Sequence, residues 1–127
     1  MKNEEKIDIK YLGIPNICFS LTSKDDKREE KFIEQRKENG FDDSETWSLR
    51  DTIGRFILPR LKRFKEVTIA HPGGLKKEEW DEILDKMIKT FELLTKEDGA
   101  FMLTEEEYKE FEEGMDLFRK WFLALWW

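Results

Sequence analysis

Three groups of side chains have the types and spacing for chemistry. The first is cationic: between Arg50 and Lys65 six cations stand against one acid. On a helical projection Arg60 falls between Phe56 and Phe64, inside an apolar face. An unpaired guanidinium buried there costs several kcal/mol, so it requires an acid, a set of carbonyls or an anionic ligand. An internal ion pair is the commoner solution. The sharper one is an anion site anchored by Arg60, with Arg63 or Arg55 approaching from the rim and Trp47 or His71 beside a base. The second group is His71, the one histidine of the chain, in the turn-forming stretch His71-Pro72-Gly73-Gly74. Its plain role is a single local hydrogen bond; the general capacity of histidine as a residue type to gain or lose a proton near neutrality makes it a candidate ligand contact. The third group is acidic: Glu78, Glu79 and Glu82, then Glu113 and Asp116. Carboxylates so spaced share a helix face and can hold hydrated magnesium against phosphates. Here Glu78 and Glu82 point away from the Trp80 stripe and Glu113 away from the Phe118 stripe, so the two sets are expected to face water rather than each other.

The elements that carry these residues are mostly helices. Leu49, Ile53, Phe56, Ile57, Leu61 and Phe64 recur with the helical period, and Asp43 or Ser44 is placed to cap the helix that bears them. Pro59 removes one amide and crowds the preceding turn, which predicts a kink or a restart. Trp80, Ile83, Leu84, Met87, Ile88, Phe91 and Leu94 form the broadest apolar stripe, in a helix over 75–96. Thr104 with Glu107 forms a capping box for a last helix that runs nearly to the end and buries Tyr108, Phe111, Met115, Phe118 and Phe122. Gly114 inside it marks a close helix crossing. Residues 121–127, WFLALWW, are apolar all round, and one small core is not expected to cover every side of them. Trp121, Leu125, Trp126 and Trp127 are therefore candidate interface residues, with a homodimer the next choice after internal cover.

Toward the N-terminus, Ile7, Ile9 and Tyr11 alternate as in a short strand. Gly13, Pro15 and Asn16 supply a turn before the apolar Ile17–Leu21, the pattern of a hairpin. Residues 23–39 are almost wholly charged and read as an exposed helix or a linker ending at Asn39-Gly40. The fold expected is mainly α, a small bundle of three to four helices with or without an N-terminal β-hairpin. It forms a single domain with 1–39 as a hairpin, linker or charged helix and 40–127 as the helical core.

Composition narrows the function classes. The chain has 127 residues, 41% of them charged, and a formal net charge of −6, which argues against whole-surface nucleic-acid binding. Glu97 to Asp116 carries nine acids against one lysine, so basic and acidic patches are segregated. A single cysteine, Cys18, rules out an internal disulfide and fits a reducing compartment. One Cys and one His offer no metal-ligand spacing, and no cofactor is expected. No signal peptide or spanning helix is visible, and a cytoplasmic protein without membrane contact is expected.

At WSLRDTIGRFILPRLKRFKE, PGGL, EEWDEILDKMI and the terminal DLF-to-LALW stretch, the chain resembles a group of small uncharacterised proteins encoded by bacteriophages and prophages. The likeness runs from about Gly40 to the end. The group usually carries an acid where Arg50 stands and Ala where Gly54 stands, so no role for Arg50 follows from it. The resemblance implies a setting, the host cytoplasm, with anti-defence, host takeover or DNA metabolism as candidate roles. The carboxylate motifs in turn resemble those of small all-helical magnesium-dependent nucleotide pyrophosphatases. Three functions are thus in view. The first is a non-enzymatic binder that sequesters a phosphate-bearing signalling nucleotide or occupies a host defence protein. The second is a nucleic-acid-associated accessory protein. The third is the pyrophosphatase. The first is preferred.

Overall fold

A computed structural model of the chain describes residues 28–96 and 102–126. Four helices follow one another: α1 (Arg28–Asn39), α2 (Leu49–Val67), α3 (Lys77–Leu94) and α4 (Glu105–Lys120), with 3₁₀ turns at Asp43–Thr46 and Phe122–Ala124. The expected mainly-α architecture is thus observed, and no strand occurs among the described residues. The expected N-terminal hairpin and Cys18 lie outside them. No helix among them is long and apolar enough to cross a membrane. The chain divides into two units, one ending at Thr52 and one beginning at Ile53, with the boundary inside α2.

In the first unit α1 is more than an exposed, charged segment, because Phe32 and Arg36, one helical turn apart, are both buried. Gly40, at φ 85°, takes the left-handed conformation that ends α1, its amide donating to the Arg36 carbonyl at 3.0 Å. The chain then brings Asp42 to the Arg36 guanidinium, which also lies 3.4 Å from Glu29. Asp42 accepts from the Ser44 amide at 2.8 Å and from the Ser44 hydroxyl, while Glu45 accepts from the Asp42 amide at 3.0 Å. Asp42, not Asp43 or Ser44, is therefore the capping residue, and it caps the 3₁₀ turn rather than α2. Asp43 instead accepts from the Gln35 side chain at 2.9 Å, and Ser44 is fully buried. Trp47 meets Phe32 edge to face at 5.7 Å, with the Arg28 guanidinium 5.4 Å from the Trp47 ring.

The second unit is organised on α3. Trp80, Leu84, Met87, Ile88 and Phe91 are buried together with Leu61 of α2, and Ile57, Leu58 and Phe64 pack against them. Lys62 and Lys65 of α2 reach Glu92 and Asp85 of α3 at 3.4 and 2.7 Å. α2 continues through Pro59 as one helix, neither broken nor restarted there.

The capping box at the start of α4 is present, with each of Thr104 and Glu107 bonded to the other's backbone amide at 3.0 Å. Gly114 is buried, and a Cβ there would collide with the Thr90 side chain and the Lys86 carbonyl of α3. The close crossing is real, and it changes which face of α4 is inward. The partly buried apolar residues are Phe111, Leu117 and Phe118, and the Phe118 ring stands edge-on to Phe91 at 5.2 Å. Tyr108, Met115 and Phe122, expected in the core, are exposed. The helix also stops sooner than its composition suggests. Trp121 closes it, its amide donating a hydrogen bond to the Leu117 carbonyl, and the chain tightens into the 3₁₀ turn.

Candidate functional site

Arg60 does not occupy a buried anion pocket. It is exposed, its guanidinium lies 3.9 Å from the Phe56 ring centroid, and it donates to the Phe56 carbonyl at 2.8 Å. The angular position expected from the sequence was sound, but the sector carrying Ile53, Phe56 and Arg60 is left open while α2 turns Gly54 and Leu61 inward. No carboxylate pairs with Arg60 among the described residues. Arg63 is paired with Glu66 at 3.1 Å on the exposed surface, and Arg55 is partly buried. Much of the basic end of α2 is thus neutralised at home. The Asp85 hydrogen bond holds the Lys65 ammonium above its ordinary range. Trp47 belongs to the first unit and Arg55, Arg60, Arg63 and His71 to the second.

His71 has a different companion from the one expected. Past α2, the Thr68 amide bonds to the Phe64 carbonyl at 2.9 Å, and the Leu75 amide closes a turn on the Pro72 carbonyl at 3.2 Å. This turn meets the C-terminal 3₁₀ turn, and Ala70, His71, Pro72, Gly73, Ala124 and Trp126 line a cavity of about 250 Å³. A candidate ligand contact and a candidate interface residue therefore share one site. His71 Nδ1 lies 3.3 Å from the Pro72 carbonyl oxygen; the tautomer that donates there presents Nε2 as an acceptor. No charged side chain lines the cavity, and its volume is below the roughly 300 Å³ at which pockets for drug-sized ligands begin.

The C-terminal segment divides its side chains. Trp121 stands edge-on to the buried Trp80 at 5.9 Å, and Ala124 and Leu125 pack on the core. Of the candidate interface residues, Trp121 and Leu125 are therefore turned inward, and Trp127 lies outside the described residues. Leu123 and Trp126 are 88% and 74% exposed. Leu123 was not singled out by sequence reasoning; a period-three turn, which the unbroken apolar run concealed, separates it from its neighbours.

Glu78, Glu82 and Glu113 are exposed to solvent, as expected, although Glu79, Glu82 and Glu113 border one open cavity of about 280 Å³ together with Lys86. Lys86 Nζ sits 2.7 Å from Glu113, and that hydrogen bond raises the Lys86 pKa, with the Glu82 charge adding to the effect. Glu79 is used as a cap, accepting from the Lys76 amide at 2.7 Å. The positive charge at the centre of the cluster is an ammonium, and no group of three or more Asp, Glu, His or Cys among the described residues is placed to hold a metal.

The network that sequence reasoning missed is Arg36 with Asp42. It is the buried guanidinium meeting a carboxylate that had been expected at Arg60, and its signal was the spacing of Phe32 and Arg36 just before an Asp-x-x-Glu cap. Comparison of the chain with protein-family models, curated proteins and solved structures found no match.

Proposed function

We propose that this protein is a non-enzymatic accessory protein that acts by occupying a host protein, and that its apolar C-terminal end makes the contact. In the phage setting implied by the sequence resemblance the host protein is a defence component, met in the host cytoplasm. The observation that supports this reading is the exposure of Phe122, Leu123 and Trp126 beside the His71 cavity. Clustered apolar side chains on the surface of a chain that is 41% charged are the mark of a contact surface. The test is to express the protein in cells carrying defined anti-phage defence systems and count plaques. A Leu123→Asp, Trp126→Ser variant, checked by circular dichroism for helix content, is expected to lose the protection that the parent gives. Undiminished protection by that variant would sink the reading.

A second reading, sequestration of a phosphate-bearing ligand on Arg60 with Arg63 and Arg55, draws support from the exposed guanidinium with no carboxylate beside it among the described residues. It is weakened by the pairing of Arg63, Lys62 and Lys65 with acids. That same neutralisation lowers the nucleic-acid reading, because phosphate contacts need free cations. The central ammonium of Lys86 weighs against the magnesium-dependent pyrophosphatase.

A further inference from the structure

Residues 67–75, VTIAHPGGL, and 121–127, WFLALWW, contain no Asp, Glu, Lys or Arg, and the fold brings the described parts of these two stretches to one cavity. In a chain where two residues in five are charged, this is a rare uncharged surface. Each molecule carries a net charge of −6, so a contact between two copies is least opposed by repulsion where neither presents acids.

The surface also carries both a projection and a hollow. Leu123 projects into solvent at 88% exposure, while the next residue, Ala124, already lines the cavity, as does Trp126. A projecting side chain and a hollow thus lie close together in the chain, an arrangement that a twofold axis can use twice, since whatever one copy's projection meets on the partner, the partner's projection meets in return. A cavity of about 250 Å³ with four apolar residues in its wall suits one aliphatic side chain and offers no cation to a phosphate.

We propose that in the free protein this surface is covered by a second copy of the chain, each copy lodging Leu123 in the His71–Trp126 cavity of the other. The proposal rests on the reading that the C-terminal end is a contact surface and makes self-association and host binding mutually exclusive there. It does not depend on which host protein is bound.

The test is mass measurement of the purified full chain by native mass spectrometry and light scattering at about 50 µM, where a dimer of micromolar affinity is largely associated. The parent is expected at twice 15.4 kDa. Leu123→Asp removes the projecting group, and Gly73→Phe fills the hollow at a position where an added Cβ meets nothing within 4 Å. Each variant alone is expected to weaken the dimer at least about a hundredfold, which leaves it mostly monomeric at that concentration. An equal mixture restores a heterodimer, since one intact side chain then faces one intact hollow. A monomeric parent, variants that stay dimeric, or a mixture that remains monomeric would each overturn the proposal. A monomeric parent whose anti-defence activity is still lost in the Leu123→Asp, Trp126→Ser variant would leave the proposed function standing without the dimer.

Discussion

The Thr90 hydroxyl occupies the volume that a side chain at position 114 would need. It donates to the Phe111 carbonyl at 3.0 Å and is fully buried, so α3 and α4 are joined by a polar contact at their closest approach. Alanine at position 114 should gain helix propensity but force the helices apart, since Thr90 and the Lys86 backbone leave no room. The net expectation is a loss of about 1–3 kcal/mol in urea unfolding. Thr90→Ala in the same chain should recover part of that loss, a non-additivity that a double-mutant cycle would register.

Asp42→Ala leaves the buried Arg36 guanidinium without its nearest carboxylate and the Ser44 amide without its acceptor. Breaking a buried pair from one side costs about 3–5 kcal/mol, and Glu29, 3.4 Å from Arg36, should hold the loss toward the lower figure. The damage should be local to the first unit. Amide exchange in α1 should accelerate, while α3 keeps its protection.

Glu107 is held below its ordinary carboxylate range, first by the Thr104 amide and then by Lys96. A carboxylate whose pKa is lower folded than unfolded adds stability above its unfolded value, near 4.5, and that contribution disappears as pH falls through the lower folded value. Glu107→Gln should therefore flatten the acid limb of a thermal-unfolding profile below about pH 4.5, with little change in its shape near neutrality.

Arg60→Ala removes one exposed hydrogen bond and one cation–π contact, worth about 1 kcal/mol at such a site. Its unfolding midpoint should fall by only about 2–5 °C, with the fold intact. If titration calorimetry detects a nucleotide binding the parent, the same variant separates the two functional readings. Loss of binding with intact anti-defence activity would assign the phosphate contact to Arg60 and leave the C-terminal end with the host protein.

α3 was legible because its apolar residues occupy one broad stripe, so periodicity alone fixed which side faced inward. The Thr104 and Glu107 cap was equally plain, since both partners lie within one turn of each other. α2 shows where this reasoning ends. A helical projection placed Arg60 correctly among its neighbours, but which sector of the helix is covered depends on where the other helices lie. Gly54 and Leu61 decided that, and a wheel weighted by large side chains passes over a glycine. On α4 the same bias favoured Tyr108 and Met115 over the seam through Gly114. Arg36 escaped notice for a related reason: eight of the twelve residues of α1 are charged, and composition does not tell a solvated charge from one that meets Asp42 across a turn. The pairing of His71 with Trp126 joins residues 55 positions apart, which no local pattern encodes.

The edge-to-face meeting of Trp80 and Trp121 has an optical consequence. Two indoles 5.9 Å apart at an interplanar angle of 71°, one of them sealed inside the second unit, should couple their intense transitions and give a paired dichroism band in the far ultraviolet. Undocking the last turn would abolish that band before any helix melts. The spectrum therefore offers a clock for tail release, readable without label or ligand.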